Sequence, residues 1–278
     1  MAGYFEQFVA FGTDIVGLER IMRFIQSVFS ILTAYPALIP MLLSHQPSAV
    51  HKTSALAMGQ LSNHLNMTRR AVRLFWCLGS FQSSWNAYIA PEKSIETWLA
   101  ILADSLFGLF GLMESVTLPD LLQVKGLSVF GLDEAFRIDD QSKSVWLAAL
   151  ACSALCTGVK ILKSYAHRAV PETGSGFGDP VHEKKKPGKG GENKAQAQAA
   201  AEKRRQEWEA ASKEASRKIG GLTRKLLADL LDIAIPAWAT GLADIDAGVV
   251  WVAMLFSTIF TGYAVWERCG QAIDKGRA

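Results

Sequence analysis

Cations and large apolar side chains occur together in one short stretch of the chain, NMTRRAVRLFWCLGSF at residues 66–81. Three arginines lie within five residues, and three large apolar residues follow directly: Arg69, Arg70, Arg73, Leu74, Phe75 and Trp76. Guanidinium groups bind phosphate oxygens through paired hydrogen bonds, whereas large apolar side chains favour hydrocarbon over water. The chemistry that uses both at once is binding to an anionic membrane surface.

Other chemistries find little support in the residue pattern. The five histidines are scattered and none is paired with a nucleophile, and the four cysteines lack the converging His/Cys framework that zinc needs. The glycine-rich GSGFG at residues 174–178 lacks the strand and helix of a phosphate-binding loop. We therefore predict a protein that is not an enzyme, with no metal, no cofactor and free thiols of a reducing compartment.

Charge and composition narrow the class of partner further. The net charge of +3 is too small for a dedicated nucleic-acid binder, in which a basic face usually dominates. Half of the residues are hydrophobic. The N-terminal residues have no basic region ahead of an apolar core, so we expect no secretory signal and membrane entry through internal segments.

The apolar residues recur with a helical period along the whole chain, which predicts an all-α fold. Helices are predicted at residues 14–33, 49–81, 94–116, 145–162, 222–235 and 247–266. Pro36 and Pro40 are expected to end the first of them. The pattern indicates a membrane-associated helical protein with amphipathic interfacial helices and one to three transmembrane or membrane-embedded helices.

Residues 247–266 form the clearest candidate for a membrane span. They contain no charge over 20 residues, the length a helix needs to cross about 30 Å of hydrocarbon, and Trp251 and Trp266 suit the two interfaces. A buried core helix is the alternative. Residues 145–162 are a second candidate span, and residues 94–116 are expected to lie against other helices or in the interface because Asp104 interrupts them.

The composition divides the chain into four regions. Residues 1–90 form an N-terminal amphipathic helical region, and residues 91–170 hold the middle apolar helices. Residues 171–217 are predicted to be a flexible charged linker, whose second half from about Ala195 could form a polar helix held by Glu/Lys pairs. Residues 218–278 combine an amphipathic helix with the last candidate span.

A helical projection of residues 61–76 separates an apolar arc from a polar one. The membrane-binding candidates on and beside the apolar arc are Leu61, Leu65, Arg69, Arg70, Val72, Arg73, Leu74, Phe75 and Trp76. The arginines flank the apolar arc, as expected of a helix that lies in a bilayer interface with its cations at anionic headgroups. An ordinary amphipathic helix packed in a bundle and a calmodulin-target helix are the alternatives.

Four segments together carry a family resemblance. TDIVGLERIMRFIQ at residues 13–26 has a glycine, an acid–base pair, a further basic residue and a glutamine at helical spacing: Gly17, Glu19, Arg20, Arg23 and Gln26. LSNHLNMTRRAVRLFWCLGSF, RIDDQSKSVWLAAL and the C-terminal segment from KLLADLL, with its Asp229, follow in order. In this order they resemble the peroxisomal biogenesis factor 11 (peroxin-11) family. Leu18 stands where a basic residue is common in the family, so this copy is divergent; the resemblance is taken as one to a fungal-type member.

The resemblance implies a protein of the peroxisomal membrane that elongates this membrane before fission. Its partners would be an anionic phospholipid membrane, further copies of itself in a homo-oligomer, and a fission machinery with a tail-anchored adaptor and a dynamin-related GTPase; no nucleic acid is expected. Some members of the family are proposed to be channels for small metabolites. Asp104 and Glu114, ten residues apart on an apolar segment, could line such a pore.

Overall fold

The computed structural model describes residues 3–42, 48–91, 93–123, 126–169 and 192–277. In these ranges the chain forms helices and no strand, which confirms the all-α prediction. The helices are α1 Tyr4–Thr13, α2 Ile15–Ala34, α3 Leu38–Leu42, α4 Ser48–Val72, α5 Trp76–Ile89, α6 Ile95–Leu121, α7 Leu132–Ala169, α8 Glu192–Ala239 and α9 Ala247–Arg277.

The first predicted helix corresponds to α2, and local signals fix both of its ends. The carboxylate of Asp14 accepts hydrogen bonds from the backbone N–H groups of Val16 and Gly17, both at 3.0 Å, and so caps the N-terminus. The helix ends at Ala34, two residues before Pro36. Proline disfavours the helical conformation at the residue before it, here Tyr35, and the predicted end at Pro36 is therefore confirmed, whereas Pro40 lies within α3.

The predicted helix at residues 49–81 is wrong as a single element, because a turn at residues 73–75 separates α4 from α5. Within this turn the backbone N–H of Trp76 bonds to the carbonyl of Arg73 at 2.9 Å, a tight three-residue step. The hydroxyl of Ser115 on α6 donates to the carbonyl of Leu74 at 2.7 Å. The break is thus satisfied by a neighbouring helix, and a projection that begins on α4 does not extend onto α5.

Three helices of the described residues are long and apolar enough to cross a membrane: Ile95–Leu121, Leu132–Ala166 and Ala247–Gly276. Each extends a segment predicted from the sequence. The helix with Asp104 also packs against another helix, because the hydroxyls of Ser83 and Ser84 on α5 bond to Asp104, at 2.6 Å, and to Ser105, at 2.7 Å.

The chain divides into two compact units. The larger unit comprises Met1–Gly158 and Arg224–Ala278, and the site described below lies wholly within it. The smaller unit comprises Val159–Thr223 and contains the C-terminal end of α7 and the N-terminal part of α8. The first half of the predicted linker falls mainly outside the described residues, whereas from Glu192 onward the chain is helical, close to the polar helix expected from Ala195.

Helix α2 of the larger unit turns its polar side inward. In α2 the buried residues are all polar or glycine: Gly17, Glu19, Arg23, Gln26, Ser27 and Ser30. Ile15, Leu18, Phe24 and Ile25 of the same helix are exposed. A helix on the surface of a water-soluble protein shows the opposite arrangement. Ionisable side chains that face the interior of an apolar-surfaced bundle are the pattern of membrane-embedded helices.

Candidate functional site

Five arginines and four carboxylates meet inside the larger unit, and we call them the arginine–carboxylate network. Its members are Arg20, Arg23, Arg69, Arg70, Arg73, Glu19, Glu114, Asp139 and Asp232. They come from α2, α4, α6, α7 and α8, with Arg73 in the turn after α4. The network therefore connects helices that lie far apart in the sequence.

Glu19 on α2 is the centre of the network, with only 1 % of its surface exposed. Its Oε1 accepts hydrogen bonds from Nη2 of Arg69 at 2.7 Å and from Nε at 2.9 Å. The third corner of the same guanidinium group, Nη1, donates to the side-chain oxygen of Gln26 at 2.5 Å. Because Glu19 and Gln26 are seven residues apart, they lie on one side of α2 and hold Arg69 of α4 between them.

Arg70 and Arg73 extend the network to α6 and α7. Arg70 donates from Nη1 to Asp139 at 2.6 Å, and its Nε lies 3.5 Å from Oε1 of Glu114. Arg73 donates from Nη2 to the same carboxylate oxygen at 2.8 Å. Glu114 thus stands between two guanidinium groups, and Asp139 fixes α7 to α4.

Arg23 connects α2 to the C-terminal helices. Its guanidinium forms a two-pronged ion pair with the carboxylate of Asp232 on α8, with Nη1 at 3.2 Å from Oδ2. The hydroxyl of Ser257 on α9 donates to the same carboxylate at 2.5 Å and lies 3.3 Å from Nη2 of Arg23. All three side chains are largely buried, and the ion pair compensates for the hydration that the two charges lose on burial.

The surrounding guanidinium groups keep Glu19 ionised. Burial alone would raise the pKa of this carboxyl group, but the positive charges of Arg20, Arg69 and Arg73 outweigh it and lower the pKa to about 2. The pKa in the folded chain is below its unfolded value. The stability that Glu19 contributes is therefore present above about pH 4.5 and is lost as the pH falls toward 2.

A cavity of about 550 Å³, with both charged and aromatic walls, adjoins the network. Its charged walls are Arg23, Arg69, Arg70, Arg73, Glu114, Asp139 and Lys143, and its aromatic walls are Phe110, Trp146, Trp238 and Trp251. The amide side chains of Asn63 and Asn66 line it as well. A chamber with this lining suits water and small anions.

The residues of the family motif on α2 fall into three groups. Glu19, Arg23 and Gln26 belong to the interior contacts just described. Gly17 lies where α1 approaches α2, and a Cβ at this position would be 2.0 Å from the backbone oxygen of Phe11, so only glycine fits. Arg20 is at the edge of the network, with Nε at 3.5 Å from Oε2 of Glu19.

The structure separates the membrane-binding candidates into outward and inward residues. Leu61 and Phe75 are exposed, whereas Leu65, Val72, Leu74 and Trp76 are half-buried. Arg69 is buried, and Arg70 and Arg73 are half-buried and paired with carboxylates of the same chain. This placement differs from the headgroup contacts expected of the arginines. Binding of the apolar face to a membrane stays a prediction.

Sequence reasoning missed Asp139 and Asp232 as partners of the arginines. Neither is a lone acid in its segment, because Asp140 follows Asp139 directly and Asp232 has an acidic neighbour in Asp229, so no sequence signal singled them out. Asp229, the acid named in the C-terminal segment, lies three residues before Asp232 and accepts hydrogen bonds from Lys225 at 2.8 Å and Ser153 at 2.7 Å.

The two acids suggested for a pore lie in different surroundings. Glu114 belongs to the network and lines the cavity, whereas Asp104 bonds to Ser83 and does not line it.

Within the described ranges, no group of three or more His, Cys, Asp or Glu side chains could hold a metal ion. The four cysteines are free thiols, and Cys77, Cys156 and Cys269 are buried.

Comparison with known proteins confirms the family resemblance. The sequence model of the peroxisomal biogenesis factor 11 (PEX11) family matches residues 5–266, nearly the whole chain. No curated protein and no solved structure gives a significant match. The matched range includes every member of the arginine–carboxylate network, the three candidate spans up to Trp266 and the outward apolar faces. The chain belongs to the peroxisomal biogenesis factor 11 family.

Proposed function

We propose that this protein elongates the peroxisomal membrane during proliferation and fission, by inserting apolar helix faces into the bilayer and by self-association. The observation that carries the proposal is the inverted packing of α2 and α4, whose charges pair inside while large apolar side chains of α2, α4 and α5 point outward. Exposed apolar surface of this extent marks contact with a membrane or a partner. Membership of a family of peroxisomal biogenesis factors makes the peroxisomal membrane the relevant one.

The transfer of apolar side chains from water into hydrocarbon supplies the driving force for insertion in this proposal. Phe75, in the turn just before α5, and Leu78, in its first turn, are 71 % and 62 % exposed. Full burial of such a side chain contributes about 1.5–3 kcal/mol. Because the nearby arginines already have carboxylate partners, headgroup attraction adds little, and salt should weaken insertion only slightly. A short helix that enters one leaflet expands that leaflet and favours curvature.

Self-association and recruitment complete the proposed activity. Curvature from one short helix is local, so a tubule needs many copies side by side, which a homo-oligomer supplies. The oligomer would then present a surface to the fission machinery, a tail-anchored adaptor and a dynamin-related GTPase. These partners follow from the family resemblance, and the inward pairing of the charges leaves mainly apolar surface for contacts between copies within the bilayer.

The test uses the full-length protein reconstituted into anionic liposomes at a fixed protein-to-lipid ratio. We expect Phe75→Ser combined with Leu78→Ser to reduce the tubulated fraction in electron micrographs at least about fivefold, because two large side chains no longer enter hydrocarbon. The variant should remain in the membrane after alkaline extraction, since the long apolar helices α6, α7 and α9 are unchanged.

A matched control replaces two exposed leucines that lie in loops. Leu127→Ser combined with Leu242→Ser removes similar apolar surface outside α4 and α5, and we expect tubulation at the level of the wild type. Tubulation by the Phe75/Leu78 variant equal to that of the wild type would show that this face is not the wedge.

The arginine-lined cavity favours a second candidate function, a pore for small metabolites. Four arginines line it, so a path through it would favour anions over cations. We expect purified protein in planar bilayers, under a salt gradient, to show a reversal potential on the anion-selective side. Asp104→Ala should leave this potential unchanged, because Asp104 lies away from the cavity. Absence of conductance, or selectivity for cations, would reject the pore.

A further inference from the structure

A second, largely apolar groove lies on the outside of the larger unit, between α2 and α9. Its volume is about 510 Å³, within the range of ordinary ligand pockets. Aromatic and aliphatic side chains line it: Phe11, Ile21, Phe24, Ile259, Tyr263 and Trp266. Phe11 and Trp266 form an edge-to-face pair with ring centroids 5.8 Å apart. Arg20 is the only charged residue of the lining.

The charge of Arg20 is not matched by the network. Five guanidinium groups face four carboxylates there, which leaves one positive charge over. In the described part of the chain Arg20 has one carboxylate within 4 Å, that of Glu19, and this carboxylate also serves Arg69 and Arg73. The buried Nε of Arg20 has no hydrogen-bond partner. The surplus charge of the interior therefore lies beside the apolar groove.

A second arginine near the groove is already neutralised. Arg224 lies over the ring of Tyr263, with 4.4 Å between its guanidinium carbon and the ring centroid. Its Nη2 pairs with Glu267 at 3.2 Å. An anion at this groove would thus be held by Arg20, which lines it and whose side chain is 20 % exposed.

We propose that this groove binds one anionic glycerophospholipid, with an acyl chain along the aromatic lining and the phosphate at Arg20. The inference rests on the proposed function, because the groove must face the bilayer for a phospholipid to enter it sideways. An apolar groove with one guanidinium group in its lining fits an amphiphile with a single negative charge. Guanidinium binds phosphate with paired, charge-assisted hydrogen bonds.

The test counts lipids on the full-length protein by native mass spectrometry from detergent micelles. Palmitoyl-oleoyl phosphatidylglycerol is the anionic probe, and the phosphatidylcholine with the same chains is the zwitterionic one. We expect the wild type to retain one phosphatidylglycerol with at least a tenfold preference over phosphatidylcholine. Arg20→Gln should reduce this preference about tenfold, the usual effect of a hydrogen bond to a charged group.

Two further variants distinguish the contribution of the charge at Arg20 from that of the groove itself. Gly262→Leu fills the groove, and a Cβ there comes no closer than 3.9 Å to Cβ of Arg20, so the backbone has room. We expect it to lose both lipids. Arg137→Gln removes an exposed arginine of α7, 68 % accessible and paired with Glu134, and should leave retention unchanged. Far-UV circular dichroism identifies variants that fail to fold.

Several outcomes would overturn the proposal. Equal retention of phosphatidylglycerol by the wild type, Arg20→Gln and Gly262→Leu would reject the groove as the site. Displacement by equimolar oleate would assign the groove to a fatty acid, and a lipid-free dimer that Gly262→Leu abolishes would assign it to a second copy. If tubulation persists without retained lipid, only the lipid site fails. If alkaline extraction releases the wild type from liposomes, the proposed function itself fails.

Discussion

Glu19→Gln is expected to reduce the free energy of unfolding by about 3–5 kcal/mol, the usual loss when one partner of a buried ion pair is removed. The carboxylate of Glu19 accepts two hydrogen bonds from Arg69 and lies within 4 Å of Arg20 and Arg73. Glutamine has nearly the same shape but no charge, so three buried or half-buried guanidinium groups lose their shared counter-ion. Denaturant or thermal unfolding in detergent, followed by circular dichroism, measures the change.

The control is Glu134→Gln, which removes the carboxylate of an exposed pair on α7. Its partner Arg137 is well solvated, so we expect a change below about 1 kcal/mol. The double replacement Glu19→Leu with Arg69→Leu should lose less than the sum of the two single changes, because neither charge is then left alone. Equal stability of Glu19→Gln and Glu134→Gln would contradict the central place of Glu19.

Asp232→Asn is expected to be the second large effect, a loss of about 3 kcal/mol or more. Asparagine keeps one acceptor oxygen but leaves the buried guanidinium of Arg23 without a charge partner. The same carboxylate accepts from Ser257, so the contact of α9 with α2 and α8 should loosen. Hydrogen exchange should therefore accelerate in the middle of α9, around Ser257, in addition to the drop in stability.

Asp229→Asn is the matched control for this prediction. It lies on the same helix one turn earlier and pairs with Lys225, whose side chain is half exposed, so we expect a loss of at most about 1 kcal/mol. Unchanged exchange around Ser257 in Asp232→Asn, or equal effects of the two variants, would show that the Arg23 pair does not hold α9.

The helical elements followed from the sequence because their signals are local. The Asp14 cap, Pro36 and the long apolar run of α9 each act within a few residues, and the predicted helices occur near their expected positions. Which side of each helix is buried could not be predicted from the sequence in the same way. Amphipathicity shows that α2 has a polar and an apolar side, but the solvent outside decides which side is buried.

The partners of the arginines could not be predicted, because they depend on contacts distant in the sequence. Asp232 is 209 residues from Arg23, and Glu19 is 50 residues from Arg69. No periodicity relates such positions. The turn at residues 73–75 added a second obstacle, since it changes the direction of the chain in the middle of the projected face. The arginines were therefore predicted to contact lipid headgroups, whereas in the fold they pair with carboxylates.

The most direct test of the proposed membrane insertion measures which surface of the protein faces hydrocarbon. Single spin labels at Leu18, Leu78 and Phe256, on three outward apolar faces, are compared with a label at the loop residue Leu242 in reconstituted liposomes, after replacement of the four native cysteines. We expect the labels at Leu18, Leu78 and Phe256 to collide with oxygen and to be shielded from a water-soluble nickel chelate. The label at Leu242 should be accessible to the chelate. Equal access of the chelate to all four would contradict an apolar exterior embedded in the bilayer.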